Sequence, residues 1–335
     1  MLNKTPVPIL QDGPNCSIVF HHGDLDGFNG AQICQRWLEE QYGDKHEIKL
    51  VRSVYETINV QAAETFAEAD EWRYIMFVDI SINEELSENA PDNVYIFDHH
   101  DTSKFIQGMN DRFYWNEKYC GAVVAWRALF GNDNRDKKLL KLMKICNQYD
   151  MWQGDNGQPP KISFDMNALF WMNPTKWFID FYDGFDGFSK EQQKLIDGHW
   201  KLQDEMWEAI DKHVYDTEKD VPHVLFLMGN DIRFDCNWWY NHLIRDEGIN
   251  AVIHYRPEKD RISMRTSVDR MSWLHSGEWL REMANDPEIP AGGHKHAAGC
   301  TTAKMQLDDV ILLGQKLEEL CDEHFSNNKE MNGRS

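Results

Sequence analysis

The sequence predicts an α/β protein in which a mainly parallel N-terminal sheet flanked by helices is followed by a linker helix and a smaller C-terminal α/β domain. Three observations carry that prediction. Short, continuously apolar runs alternate with helix-like segments through the first half, the pattern of a parallel sheet with crossover helices. At 335 residues the chain exceeds the usual size of one hydrophobic core. A long amphipathic segment near the middle separates this first alternation of strands and helices from a second one.

In chain order, CSIVF (16–20) reads as a strand and NGAQICQRWLEEQYG (29–43) as a helix with Ile33, Trp37 and Leu38 along one face. YIMFVDIS (74–81) and NVYIFDHH (93–100) read as two further strands, apolar throughout as doubly covered strands are. CGAVVAWRALFG (120–131) and KKLLKLMKICNQYDMW (137–152) are helix-like, whereas the aromatic stretch through FIDFYDGFDGF (178–188) reads as loops. Ser189 and Gln192 form a capping-box pattern that opens the linker helix, 189–214. Then come a strand at 223–229, a helix at 237–248, strands at 250–256 and 261–267, and a helix at 273–285. A glycine-rich turn, AGGHKHAAG (291–299), precedes a final strand and a helix at 308–325; the polar tail 326–335 reads as disordered. The implied domains are 1–188 and 215–325, joined by the linker.

Composition excludes several classes. An apolar fraction of 41% with 13 tryptophans argues against intrinsic disorder. No apolar run reaches the roughly 18 residues of a membrane span, and the first residues lack the apolar block of a signal peptide, so a cytoplasmic location and no membrane partner are expected. Seven cysteines without a C-x-x-C pair read as reduced thiols. A formal charge of −21 repels a long polyanion such as duplex DNA, whose binding rests on many Lys and Arg contacts to phosphate. A small anionic ligand remains compatible with it, because cations in one cleft invert the local field.

All three N-terminal strands end in acidic or imidazole side chains: His22, Asp24 and Asp26 after the first, Asp79 after the second, and Asp98, His99 and His100 at the third. Ligands of open α/β sheets bind beyond the carboxyl ends of the strands, so parallel neighbouring strands would gather these groups. Taken alone, H-x-D-x-D-G reads equally well as an Asp/Gly turn, and each histidine as a core or surface residue. In an extended segment Asp24 and Asp26 would share one face with His22. Two carboxylates about 4 Å apart repel by roughly 4 kcal/mol at an effective dielectric near 20, so Asp24, Asp26, Asp79 and Asp150 gathered together need cations or protons. Carboxylates mixed with imidazoles suit manganese or magnesium, with zinc, iron or cobalt also compatible. A pair of such ions activates water and clamps a phosphoryl group, which points to phosphoester hydrolysis.

These residues resemble the DHH phosphoesterases, a family of exonucleases, nano-RNases, cyclic dinucleotide phosphodiesterases and pyrophosphatases. The motifs stand here as His22-Gly23-Asp24-Leu25-Asp26-Gly27, Asp79 in VDIS, Asp98-His99-His100, Asp150 in NQYD, and a C-terminal AGGHKHAAG in which Ala291 replaces a glycine. The resemblance implies a DHH domain followed by a DHHA1 domain, with two divalent ions, Mn2+ first and Mg2+ or Co2+ as alternatives. It implies one ion held by His22, Asp24 and Asp79, and a second by Asp26, Asp79, His99 and Asp150. His100 would face the substrate phosphate, Asp98 would orient the neighbouring imidazoles, and His21 would be structural. Arg265, Gly292, Gly293 and His294 would grip the distal phosphate or terminal nucleotide, with Lys295 and His296 projecting into solvent. Arg233 is a further candidate contact, and NWWYNH (237–242) packs in the core or stacks on bases.

The branch most resembled is the nano-RNase and cyclic nucleotide phosphodiesterase one, giving a phosphodiesterase for short oligonucleotides or small nucleotides, with the linker helix as a hinge. The alternatives are a phosphatase acting on 3'-phosphoadenosine 5'-phosphate or pyrophosphate, and a silent nucleotide-binding scaffold on the same fold.

Overall fold

The computed structural model describes residues 7–131, 136–154, 159–214, 222–229, 236–284, 291–302 and 305–332. The chain divides into two compact units, Met1–Ile196 and Asp197–Ser335. Arg233 lies outside the described residues.

In the first unit the strands are β1 (Cys16–His21), β2 (Glu47–Arg52), β3 (Ile75–Val78), β4 (Val94–Asp98) and β5 (Phe113–Trp115). They form one sheet in the order β2-β1-β3-β4-β5, with every neighbouring pair parallel. The chain leaves β1 to add β2 on one side and later adds β3 on the other, so a topological switch point lies between β1 and β3. The helices are α1 (Leu25–Tyr42), α2 (Tyr55–Ala67), α3 (Glu84–Glu88), α4 (Gly121–Phe130), α5 (Lys137–Asp150), α6 (Lys161–Met172), α7 (Trp177–Asp180) and α8 (Lys190–Ala209), the last of which contains the division between units. Ile18, Phe20, Ile75, Phe77, Val94 and Ile96 pack with Ile58 and Ala62 of α2 in one core, while α1 and α4 pack together over the other face. Coverage on both faces is why these strands read as unbroken apolar runs.

The second unit holds a mixed sheet of β6 (Asp211–Val214), β7 (Val224–Met228), β8 (Ala251–Arg256), β9 (Arg261–Thr266), β10 (Ala291–His294) and β11 (Ala297–Thr301) in the order β10-β11-β9-β8-β7-β6. Only β7 and β8 run parallel. Its helices are α9 (Cys236–Arg245), α10 (Ser276–Ala284) and α11 (Leu307–Asn332). Alternation along β7 sends Val224 and Phe226 into one core and Leu225 and Leu227 into another, so both faces of this sheet are covered too.

Several expectations change. The capping box is present, with Ser189 N donating to Gln192 Oε1 at 2.8 Å and Gln192 N to Ser189 Oγ at 3.1 Å. The helix it opens stops at Ala209, however, and residues 211–214 pair as β6 with β7. The stretch before residue 178 is not all loop, because α6 buries Phe164, Met166 and Phe170 there. AGGHKHAAG forms a hairpin, β10 and β11, with Lys295 and His296 at its turn. His296 is held by Thr266, its Nδ1 lying 3.1 Å from Oγ1, and so does not project freely. Helix α11 continues past Phe325 to Asn332, since Lys, Glu and Met extend a helix and the next breaker is Gly333. In NWWYNH, Trp239 and Tyr240 are buried, and Trp239 stacks on Trp207 at 4.4 Å, so core packing is what that segment does. All seven cysteines are free thiols, and among the described residues no helix is long and apolar enough to cross a membrane.

Helix α4 can seat only because residue 121 is glycine: a Cβ there would lie 2.7 Å from Asp79 Cβ and 2.8 Å from its Cα. Gly121→Ala should therefore destabilise the protein by about 1–3 kcal/mol through overpacking. Urea denaturation checks this, and an unchanged midpoint would show that α4 is free to shift.

Candidate metal centre

The site is built where the first unit's strands end. Strand β1 hands over to His22 and then to Asp24, which is the N-cap of α1 and accepts a hydrogen bond from Gly27 N at 3.0 Å. Helix α1 thus begins four residues before the expected position 29, because the Asp24 cap captures the chain at once. Asp26 is consequently in the first helical turn and not on an extended face with His22 and Asp24. The two aspartates diverge and meet the rest of the cluster from different sides.

Asp24 turns towards His22, whose Nδ1 lies 2.8 Å from Asp24 Oδ2 and 3.7 Å from Asp79 Oδ2. Asp26 is buried and turned towards α4, accepting from Gly121 N at 2.6 Å and Ala122 N at 3.0 Å. Those amides open α4, so the positive end of its dipole holds the Asp26 carboxylate. The Cys146 thiol adds a third donor, 3.5 Å from Asp26 Oδ1. Asp79, 1% exposed at the end of β3, adopts a left-handed backbone with φ of 57°. A non-glycine residue in that region is uncommon and carries a backbone cost.

His99 Nε2 lies 3.2 Å from Asp79 Oδ1, 3.3 Å from Asp150 Oδ2 and 3.8 Å from Asp26 Oδ2. Asp150 arrives from the C-terminal end of α5. Two donor groups result, His22 with Asp24 and Asp79, and Asp26 with His99 and Asp150, each with its ligand atoms within 4.8 Å of one another. Asp79 joins them through its contact with His99.

Asp98 stands behind this arrangement. It is fully buried and accepts from His99 N at 2.7 Å, from His100 N at 3.2 Å and from Ser81 Oγ, while His100 Nδ1 lies 2.7 Å from its Oδ1. It therefore fixes the backbone of both histidines but the imidazole of His100 alone. His21 does not belong to the cluster: it is buried, its Nδ1 is 2.8 Å from His22 O, and its ring packs edge-on against Phe28 at 4.8 Å. Burial pushes its pKa down to about 4, so it is a neutral core group.

Electrostatics states what the cluster lacks. Burial, and then Asp26, Asp24 and Asp150, push the Asp79 carboxyl well above the usual range; burial, and then Asp26 and Asp24, do so for Asp150. Burial would raise Asp24 and Asp98 as well, but their hydrogen bonds to His22 and His100 respectively outweigh it and hold both below the usual range. Burial lowers His99, and the charge of His100 adds to that effect. For His100 burial is outweighed by Asp98, which pushes the imidazole up to about 9. Asp79 Oδ2 and Asp150 Oδ2 are buried and have no hydrogen-bond partner. Carboxylate oxygens in that state fit divalent cations, and the all-oxygen-and-nitrogen donor set suits manganese or magnesium.

A further donor group, His223 with Glu318 and Asp322 in the second unit, is structural. Arg270 Nε donates to Asn250 Oδ1 at 2.7 Å, so Asn250 Nδ2 must donate to His223 Nδ1, also at 2.7 Å. The proton of His223 then sits on Nε2, facing Asp322 at 3.3 Å, where a metal would need a lone pair. Glu318 accepts from Val224 N at 2.6 Å and from His223 N at 3.3 Å, capping the start of β7.

The proposed phosphate-gripping residues lie in the second unit and are not part of this cluster. Arg265 sits on β9 opposite Ala297 of β11, which in turn pairs with His294 of β10, so positions 265 and 294 share one row of the sheet. The Arg265 guanidinium donates to Asn237 Oδ1 at 3.2 Å and to Met264 O at 3.1 Å. Gly292 and Gly293 are on β10. The sequence reading missed β2, α2 and the supporting roles of Ser81, Gly121 and Cys146. The half-exposed β2 does carry a local signal, Ile48 and Leu50 alternating with Glu47 and Lys49, which marks a strand covered on one side.

The metal-free protein should lose stability as pH rises from about 6.5 to 9. Asp79 and Asp150, raised in the fold, favour the native state when protonated. The His100 contribution is complete below its unfolded value near 6.5 and disappears as pH passes about 9. Saturating Mn2+ should restore about 5–10 °C of melting temperature at pH 8 and much less at pH 5. Asp79→Asn should raise the metal-free melting temperature and remove the response to Mn2+; an unchanged response would show that Asp79 is no ligand. Scanning fluorimetry with and without the ion decides it.

No protein-family model matches this sequence, and no curated protein matches it. Solved structures do. A DHH-domain protein described as a member of a family of ribosomal proteins aligns over 91% of this chain and 86% of its own, with 16% identity and a TM-score of 0.64. Exonuclease RecJ bound to manganese aligns over 93% and 91%, with 16% identity and a TM-score of 0.55. RecJ from Thermus thermophilus, in complex with Mn2+, gives 16% identity and a TM-score of 0.54 over 91% of this chain, which spans only 52% of that protein. The parallel sheet with its flanking helices and the second, smaller sheet are thus the fold of the DHH-domain and RecJ structures.

Proposed function

We propose that this protein is a metal-dependent phosphodiesterase of the DHH superfamily that hydrolyses short oligonucleotides or cyclic nucleotides to mononucleotides. One observation carries the reading: four aspartates and two imidazoles converge at the strand ends, and two buried carboxylate oxygens, Asp79 Oδ2 and Asp150 Oδ2, have no hydrogen bond. His22, Asp24 and Asp79 would hold one divalent ion, and Asp26, Asp79, His99 and Asp150 the other. When bound, such a pair supplies an activated water and charge neutralisation at the phosphoryl oxygens. That a RecJ structure of like fold carries manganese supports this choice of ion.

The chain's own groups do the rest. Asp98 holds Nδ1 of His100 at 2.7 Å and favours its protonated form, which would leave Nε2–H to donate to a phosphate oxygen or to the leaving oxygen. Asp98, fixed by Ser81 and two backbone amides, sets where that proton is delivered. Arg265 and His294 of the second unit would bind a distal phosphate or terminal nucleotide. The formal charge of −21 supports short substrates over long duplexes, because each added phosphate meets a repulsive surface beyond the cations.

Turnover with Mn2+ of a 3-mer RNA, a 30-mer RNA, a cyclic dinucleotide, 3'-phosphoadenosine 5'-phosphate and pyrophosphate tests this. The 3-mer should release mononucleotides at least 10-fold faster than the 30-mer, and equal rates would sink the short-substrate claim. His22→Ala should cost at least 1,000-fold in kcat, whereas His21→Ala, a core change, should cost less than 10-fold. Hydrolysis of the bisphosphate or pyrophosphate alone would favour the phosphatase alternative, and no hydrolysis at all the silent scaffold.

A further inference from the structure

The two oxygens of Asp26 face two different kinds of donor. Oδ2 lies 3.8 Å from His99 Nε2, on the side of the oxygen and nitrogen ligands of the metal centre. Oδ1 lies 3.5 Å from Cys146 Sγ, whose own neighbour is Cys120 Sγ at 4.0 Å. Ligand atoms of Asp26, Cys120 and Cys146 all fall within 4.8 Å of one another, and all three residues are buried. Among the described residues this is the one such group that contains a cysteine.

These separations match the edges of a tetrahedral ion site. With metal–sulfur bonds of about 2.3 Å and a metal–oxygen bond of about 2.0 Å, two sulfurs stand about 3.8 Å apart, and sulfur and oxygen about 3.5 Å. The surroundings hold the three side chains in place. Cys120 is the N-cap of α4, and its backbone N donates to Asn147 Oδ1 of α5 at 2.9 Å, which ties together the two segments that carry the sulfurs. Asn29 of α1, fully buried, adds a hydrogen bond to the Cys146 side chain. Its amide cannot turn over: Trp177 Nε1 donates to its Oδ1 at 3.1 Å, and its Nδ2 donates to Leu25 O at 2.9 Å. The N–H side of that amide is therefore what Cys146 meets, and an N–H donor supports a metal-bound thiolate.

We propose that Cys120, Cys146 and Asp26 Oδ1 form a second binding site, for a thiophilic divalent cation such as Zn2+, whose occupation weakens the hold of Asp26 on the hard ion beside His99. Two thiol protons leave to solvent as the two metal–sulfur bonds form, and the ion takes the place of the S–H that Cys146 directs at Asp26. Softness sorts the cations: thiolates select the thiophilic ion, while carboxylates and imidazoles keep manganese or magnesium. The shared carboxylate then makes the two sites antagonistic.

Cd2+, as the spectroscopic counterpart of Zn2+, tests this on the full chain, reduced with a phosphine and equilibrated with Mn2+. The native protein should develop thiolate-to-cadmium absorption that saturates at one equivalent, release two protons with it, and bind Mn2+ about 10-fold more weakly by electron paramagnetic resonance. Cys146→Ser and Cys120→Ser should each lose the absorption and keep Mn2+ affinity within 2-fold on adding Cd2+, whereas Cys16→Ser, outside the group, should respond as the native protein does. Absence of the absorption from the native protein overturns the proposal whatever the variants do. Absorption without weaker Mn2+ binding removes Asp26 from the site, and equal weakening in Cys146→Ser shows cadmium acting at the metal centre directly; either result also overturns it. If the native protein binds no Mn2+, the reading of the metal centre fails, and absorption with proton release still decides whether the two thiols hold an ion.

Discussion

Asp79 is where the electrostatic problem of this protein is concentrated. Its carboxylate is almost wholly buried, feels the charge of four other aspartates, and keeps one oxygen without a hydrogen-bond partner, on a backbone held in the left-handed region. Each like-charged pair at about 4 Å costs roughly 4 kcal/mol at an effective dielectric of 20, which side-chain hydrogen bonds alone do not offset. Without cations the fold favours the protonated forms of Asp79 and Asp150, and divalent ions would relieve the same repulsion without those protons. Strain, repulsion and an unpartnered oxygen at one residue are the signature of a site arranged for a ligand and not for stability.

The parallel sheet is what makes the gathering possible. Strands β1, β3 and β4 run in one direction and end on one rim, and the switch point between β1 and β3 opens a crevice there. Two helices finish the work from opposite directions. The N-terminus of α4 turns its amides on Asp26, and the C-terminus of α5 delivers Asp150, so one end of each helix meets the cluster. Gly121 lets α4 approach until its first turn touches the Asp79 backbone. Packing against the sheet and placement of the site are therefore the same set of contacts.

The histidines divide by their partners. His22 and His99 face carboxylate oxygens of the crowded cluster and fit the role of ligands, whereas His100 is tied to Asp98 and retains its proton. His21, one residue before a candidate ligand, is a neutral member of an aromatic cluster with Phe28 and Phe178. On a strongly acidic chain, a cationic group at this rim is the exception, and the proposed phosphate substrate would depend on it against a surface that repels anions.

The sequence by itself determined the three buried strands, because coverage on both faces demands unbroken apolar runs such as IMFV and VYIFD, and it placed the acidic and imidazole endings of those runs. It determined the Ser189–Gln192 cap as well, since that hydrogen-bonding pattern is local. It did not determine that Asp24 and Asp26 part company, because only the capture of Asp24 as a helix cap rotates Asp26 into the first helical turn and onto α4. AGGHKHAAG read as a turn because its strand state comes from hydrogen bonds to neighbouring strands and not from its own composition, whereas β2 carries a short period-two alternation of Ile48 and Leu50 with Glu47 and Lys49. Tertiary structure alone decided that Asp26 rests on a helix dipole and that Asp79 is left-handed. Each depends on elements remote in the chain meeting at one rim, and no local pattern encodes such a meeting.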